Sequence, residues 1–330
     1  MVDVLSLVTV PAARMPLPRR SRRNVRTCFA AAAATACLLG GTVAAAAAPA
    51  LEAPAANPDI LVNMDGDLYL VRPDGTRNRR LTTSGDIGGA SFSPDRSRIV
   101  YSQGTGRVRD IYVMKSDGTG AINLTATPDV EEGSPDWSPD GTRIVFHRYW
   151  QVDDDVVHAI AIMPARKGAT HREVTRDDID IRGCHHPSYS SAVWSPTRTE
   201  IAIEASCSNP GWEAVVAIFR PTGTWVKTIS LGDRWTSGLT YDPTGDQLAS
   251  ADGQSLFRIN RATGRLTFVL PNMWNRPYVW GPVWSPDGRR IAYSEDSNNG
   301  FHLRNIKVDG TNARTIFAGA YGSAAFAQDW

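Results

Sequence analysis

After its first fifty residues this 330-residue sequence has no segment of sustained helical periodicity, no basic stripe and only two cysteines. It also lacks a G-x-S-x-G nucleophile elbow, an H-E-x-x-H zinc motif and a Walker phosphate loop. Each absence excludes something. Helical and α/β domains need apolar residues at a 3.6-residue period with caps, and none follow Ala50. The formal charge of +1 hides an uneven distribution. The first fifty residues hold six arginines (Arg14, Arg19, Arg20, Arg22, Arg23, Arg26) and one acid, Asp3, so the remainder carries 29 basic and 33 acidic residues. With a net −4 and no basic stripe to release counterions from a phosphate backbone, nucleic acid is excluded as the expected partner.

What is present begins with an export signal. The arginine-rich stretch through Arg26 leads into an Ala/Leu/Gly/Val run ending near Ala50, with Ala48-Pro49-Ala50 as an A-x-A cleavage site. The run is long enough to span a bilayer, so a retained anchor is the competing reading. Ser21-Arg22-Arg23 resembles a twin-arginine signal, with Val25 where phenylalanine is usual. Ala34-Thr35-Ala36-Cys37 lacks the leucine of a lipobox. Residues 1–50 are therefore read as a signal peptide of twin-arginine type and 51–58 as a tether. The expected product is secreted, periplasmic or cell-wall associated, with no stable membrane span after cleavage.

Beyond Asp59 one phrase keeps returning. It recurs as Phe92-Ser93-Pro94-Asp95, Trp137-Ser138-Pro139-Asp140-Gly141, Trp194-Ser195-Pro196-Thr197, Tyr241-Asp242-Pro243-Thr244-Gly245 and Trp284-Ser285-Pro286-Asp287-Gly288, and Trp330 supplies a last aromatic. A β-rich run follows each phrase, such as Arg98-Ile99-Val100-Tyr101, and a third run precedes Asp74-Gly75-Thr76, Asp117-Gly118-Thr119 or Asp309-Gly310-Thr311. Leu81-Thr82, Leu124-Thr125 and Val174-Thr175 close units. Alternating β-branched and aromatic residues between such turns make four antiparallel strands per unit, at the spacing of propeller blades.

The phrase Trp-Ser-Pro-Asp-Gly, then Ile-Ala-Tyr, then Ile-Tyr-Val-Met before Asp-Gly-Thr resembles the WD-like repeat of the TolB family, over 59–330. The resemblance implies an all-β, six-bladed β-propeller. The amino-terminal domain of TolB has no counterpart, which weakens transfer of its envelope role. Asp59-Ile60-Leu61-Val62 reads as a second strand without a first, and Ala325 to Trp330 as a first strand without a second. Pairing of the C-terminal strand with the N-terminal strands would close the ring and remove the sheet edges.

Strand order places the Ser-Pro-Asp-Gly and Asp-Gly-Thr turns on one face, where their carboxylates are expected to be turn formers. The opposite face should hold the long, unrepeated segments 148–155, 176–189, 206–212 and 271–278, where binding would reside. Candidate ligand contacts there are Trp150, Asp153, Asp154, His185, His186, Tyr189, Trp212, Trp274 and Tyr278, with Trp235 beside them. Trp150, Trp212 and Trp274 have core packing as the competing reading. The in-register aromatics Phe92, Trp137, Trp194, Tyr241, Trp284 and Trp330 are expected between blades.

His185 and His186 could contribute to a transition-metal site, although neighbouring side chains of an extended chain diverge. Asp153-Asp154-Asp155 could contribute to calcium binding but lacks the spacing of an EF-hand. No cofactor is expected, and no catalytic residue is assigned. Cleavage would leave Cys184 and Cys207 in an oxidising compartment, so a disulfide between them is expected.

The function these readings imply is an extracytoplasmic binding scaffold for an envelope protein, a peptide or a cell-wall glycan. Some TolB-like propellers are metal-assisted sugar lyases, so the alternative is a metal-dependent carbohydrate lyase or hydrolase on the same face. The seven blades expected of such a lyase argue against it, as does the missing hydrolase half against a propeller peptidase.

Overall fold

The computed structural model describes residues 58–330 apart from 77, 107, 154, 177–186, 208–212, 272–276, 298–299 and 320–323. Within these residues the chain is all-β, in six four-stranded antiparallel sheets. The first blade orders β24 (Ala325–Asp329), β1 (Ile60–Met64), β2 (Asp67–Val71) and β3 (Asn78–Arg80) from inside to outside. The second contains β4 (Ile87–Phe92), β5 (Arg98–Gln103), β6 (Asp110–Lys115) and β7 (Ile122–Asn123). The third holds β8 (Val130–Trp137), β9 (Arg143–Val152), β10 (Asp155–Pro164) and β11 (Arg172–Arg176). The fourth is built from β12 (Ser188–Trp194), β13 (Ile201–Cys207), β14 (Glu213–Phe219) and β15 (Trp225–Gly232). Blade five takes β16 (Ser237–Tyr241), β17 (Gln247–Ala251), β18 (Leu256–Asn260) and β19 (Leu266–Leu270). Blade six has β20 (Tyr278–Trp284), β21 (Arg290–Ser297), β22 (Gly300–Lys307) and β23 (Arg314–Ala318).

The core lies in six layers, one between each pair of adjacent blades. Strand period explains why the second strands read as continuous apolar runs. Ile99 and Tyr101 enter the layer toward the first blade, and Val100, pointing oppositely, enters the layer toward the third. Ile201 and Ile203 against Ala202 repeat the arrangement. The repeated aromatics sit in these layers at 4–8% exposure, which marks them as core. Arg98 of the second blade lies over Trp137 of the third at 4.5 Å, and Arg143 of the third over Trp194 of the fourth at 4.8 Å.

The ring closes where β24 meets β1. β24 pairs antiparallel with β1, matching Met64 to Ala325 and Val62 to Ala327. The Trp330 indole N–H donates to the Pro58 carbonyl at 3.0 Å. The closing strand is also tied forward to the second blade: Phe92 N–H donates to Asp329 and Ala90 N–H to Gln328. These bonds occupy inner-edge donors that an open strand would expose.

Candidate functional site

Each inner strand runs from one face of the ring to the other and ends at its aromatic residue. The turn beyond that residue is self-contained. In three blades the serine hydroxyl donates to the following Asp at 2.6 Å and accepts the N–H five residues on, as for Ser138 with Asp140 and Arg143. In the fifth blade the polarity reverses: Asp242 accepts the N–H of Gln247 and the hydroxyl of Thr244. These bonds, led by the serine hydroxyls, hold the Asp95 and Asp140 carboxyls down at about 2. The Thr76, Thr119 and Thr311 hydroxyls likewise lower Asp74, Asp117 and Asp309. The carboxylates of this face are therefore engaged in turn geometry.

The other end of the inner strands differs. All six carry a register irregularity before the aromatic, as between Ile87 and Ala90 or Gly133 and Asp136. Such bulges bend a strand and release backbone groups from the ladder. Counting back from each aromatic gives equivalent positions. Four residues before it stand Gly88, Gly133, Ser190, Ser237, Trp280 and Phe326. Six before it stand Asp86, Glu131, Ser188, Trp235, Tyr278 and Ala324. Every residue in these two rows keeps surface exposed, and the residue between them is buried in all blades but the fifth. Within the strands the period of two turns these rows to the central opening on the long-loop face, and Asp86, Trp235 and Ala324 lie one or two residues before their inner strands.

The opening is unequal around its circumference. Trp235 is 68% and Tyr278 53% exposed. Tyr278 lies nearly parallel to Trp280, with ring centroids 6.0 Å apart and planes at 22°. Phe326 meets Phe301 edge-on at 5.7 Å. Across the opening, Glu131 accepts the Tyr149 hydroxyl and stands 4.0 Å from the Arg109 guanidinium.

Among the described residues the third blade has the longest strands, β9 and β10, which extend on this side. The segment 148–155, expected as a loop, is in its described residues a continuation of β9 and β10, with Val152 paired to Asp155. Its two faces carry different clusters because neighbouring residues alternate. His147 Nε2 lies 3.2 Å from His158 Nδ1, and the Tyr149 ring flanks both. Burial, then the neighbouring His158, pushes the His147 imidazole down to about 3, so it is neutral. On the reverse face, Arg148 bonds Glu132 at 3.1 Å and His171 at 2.6 Å and lies over Trp150. Burial raises the Glu132 carboxyl despite that guanidinium.

Deeper in the opening, beyond the bulges, are two axial carboxylates. Asp136 accepts the Trp194 N–H at 2.8 Å, and Asp329 accepts those of Phe92 at 2.8 Å and Trp330 at 2.7 Å. Desolvation by the surrounding strands pushes Asp136 up to about 7; the Trp194 N–H opposes this and the Asp329 charge adds to it. Desolvation raises Asp329 as well.

Of the residues expected at the site, Trp150 is half-buried on β9, Asp153 is exposed at the hairpin turn with φ of +53°, and Tyr278 is exposed on the rim. Tyr189 is a correction. It is 2% exposed and belongs to the layer shared with Trp194 and Val174, because five residues before the aromatic is the core-facing parity. Asp154, Cys184, His185, His186, Trp212 and Trp274 lie outside the described residues. Cys207 is buried and is not a free thiol. Among the described residues no group of three or more His, Cys, Asp or Glu is arranged to hold a metal ion.

One polar row went unread in the sequence. In four blades a polar residue stands three after the one paired with the aromatic, Ser102, His147, Glu204 and Ser294, with Asn63 in the corresponding place of the first blade and Ala251 breaking the row in the fifth. Asn63 donates to the Ile87 and Gly88 carbonyls, Ser294 accepts the Ala327 N–H, and Glu204 accepts the hydroxyls of Ser190, Ser191 and Ser250. Several of these bonds satisfy backbone groups freed by the bulges. The signal was present as a polar residue closing the apolar run in these blades, as in Ile99-Val100-Tyr101-Ser102.

The chain matches no protein-family model. It is 45% identical over 49 residues to the Tol-Pal system protein TolB of Anaeromyxobacter dehalogenans, covering 15% of this chain and 11% of that protein. It is 27% identical over 280 residues to dipeptidyl-peptidase 5 of Porphyromonas endodontalis, covering 69% of this chain and 39% of that one. The chain thus spans well under half the length of either relative. The crystal structure of TolB from Acinetobacter baumannii superposes with a TM-score of 0.63 at 18% identity, covering 82% of this chain and 66% of that one. The fold is a TolB-like six-bladed propeller.

Proposed function

We propose that this chain is an exported binding scaffold that recognises a component of the cell envelope through its long-loop face. The observation that carries this reading is the difference between the two faces. One is lined by repeated turns whose carboxylates bond within the turn, whereas the other presents Tyr278 at the start of an inner strand and Trp235 two residues before the next blade's inner strand, around an opening. Exposed aromatics on a fixed scaffold give contact area at little ordering cost. The arginine-rich leader supports export, and likeness to TolB supports an envelope setting for the ligand, be it a protein, a peptide or a cell-wall glycan.

A disulfide between Cys184 and Cys207 belongs to the same reading. It would tie the segment entering the fourth blade to the end of β13 on the binding face, and Cys207 is not a free thiol. Co-sedimentation of the purified exported protein with isolated native envelopes tests the proposal. Binding should saturate and should fall with Trp235→Ala and Tyr278→Ala, while Lys115→Ala on the turn face leaves it unchanged. Co-sedimentation indifferent to Trp235 and Tyr278 would overturn the assignment of the face.

A further inference from the structure

We infer that the long-loop mouth of the central opening is a carbohydrate subsite that takes a neutral hexose or N-acetylhexosamine unit. The inference deepens the proposed function and rests on its assignment of the binding face. It follows from the chemistry of the two exposed rows around the mouth.

One wall is aromatic and preformed. Trp235 and Tyr278 occupy the same register in adjacent blades, and Trp280 lies one strand period below Tyr278. The backbone beneath Tyr278 and Trp280 is clamped, since Val279 N–H donates to the Gly253 carbonyl of the neighbouring blade at 2.9 Å. A Cβ at Gly253 would lie 3.4 Å from Trp280 Cη2 and 3.5 Å from Tyr278 Cδ1, so the rings rest directly against that turn. Rings held this way lose little freedom when a ligand stacks on them.

The facing wall is polar and recessed. Its rim carries Asp86 and Glu131, and the next position down is glycine in both blades. A Cβ at Gly133 would meet nothing within 4 Å, whereas at Gly88 the Arg109 guanidinium and the Ser102 hydroxyl already occupy that space, so the recess lies at the third blade. The mouth is therefore matched best by an occupant that offers an apolar face to one wall and hydrogen-bond donors to the other. A pyranose ring does this, with its C–H face for the aromatics and its hydroxyl rim for the carboxylates. An anionic sugar fits badly, because its carboxylate would face Asp86, Glu131 and, in register with Tyr278, Asp296, which outnumber the Arg109 guanidinium beside Glu131. The mouth thus selects neutral glycans over uronates.

The test is calorimetric titration of the exported protein with chitotetraose and cellotetraose, with tetragalacturonate as counter-probe. At least one neutral oligosaccharide should bind saturably and more tightly than the uronate. Tyr278→Ala and Trp235→Ala should each weaken binding by about tenfold at an unchanged melting temperature. Trp225→Ala, at an exposed tryptophan in the outer strand of the fourth blade, should change nothing. Binding of neither neutral sugar, a preference for tetragalacturonate, or affinity indifferent to both substitutions overturns the inference. If those substitutions abolish envelope co-sedimentation while no sugar binds, the subsite falls and the binding face stands. If sugar binds but envelopes do not, the subsite stands and the envelope reading falls.

Discussion

Replacing Asp136 by asparagine should stabilise the protein at alkaline pH and do little at acid pH. The carboxyl titrates near 7 in the folded chain against an ordinary value of 3.8, chiefly because the inner strands desolvate it. The folded state thus holds a proton that the unfolded state releases between those values. Stability from this group is fully present below pH 3.8 and is lost as pH rises through 7. A shift of roughly three units corresponds to at most about 4 kcal/mol for an isolated group. Coupling to Asp329 shares part of that between the two carboxyls.

His147 works in the opposite direction over much of the same range. Its imidazole is lowered to about 3, so its contribution grows as pH rises from 3 to 6.5. The wild-type profile is therefore a partial cancellation, and the difference between variant and wild type isolates Asp136. An asparagine keeps an oxygen to accept the Trp194 N–H. Denaturant unfolding of both proteins from pH 4.5 to 8.5 should give a stability difference that climbs with pH and levels above 8. A difference that is flat across this range, or a variant less stable than wild type at pH 8.5, would refute the desolvation argument.

Deleting Ala325 to Trp330 should abolish cooperative unfolding, because it removes the inner strand of the first blade and the Trp330 anchor on Pro58; an unchanged melting curve would contradict closure through that strand. Trp137→Ala should cost about 3–5 kcal/mol, since the ring is buried between blades, whereas Trp235→Ala should cost well under 1 kcal/mol; denaturant midpoints distinguish them. Unfolded, unreduced exported protein should show no titratable thiol, and reduction should lower stability by about 3 kcal/mol for a loop of roughly two dozen residues. Two free thiols per chain would rule out the Cys184–Cys207 bridge.

The blade architecture was legible because each repeat is local. A Ser-Pro-Asp turn needs only residues five apart, and an Ile-Val-Tyr run buried on both sides announces a central strand. Closure was also readable, since Asp59-Ile60-Leu61-Val62 matches a second strand and Ala325 to Trp330 a first. The hairpin of the third blade was not. His147, Arg148, Tyr149 and Trp150 put polar and aromatic groups on both faces, so no apolar alternation marks the strand. Tyr189 was misplaced because its segment was read as a loop, whereas strand parity decides whether a ring faces core or opening. The bulges leave faint traces, mostly glycine, serine and proline, with Gln328 in the first blade. The unequal mouth became visible once positions were counted from the blade aromatics, a comparison the sequence alone would have allowed.

Site-specific photo-crosslinking in intact cells tests the central claim most directly. A photoreactive residue is placed at Trp235 or Tyr278 on the long-loop face, or at Lys115 or Lys307 beside the turns of the opposite face. All four positions are exposed, so the probes leave the core undisturbed. The account predicts a discrete envelope adduct from positions 235 and 278 and none from 115 and 307. Adducts from 115 and 307 alone, or none from 235 and 278, would contradict it.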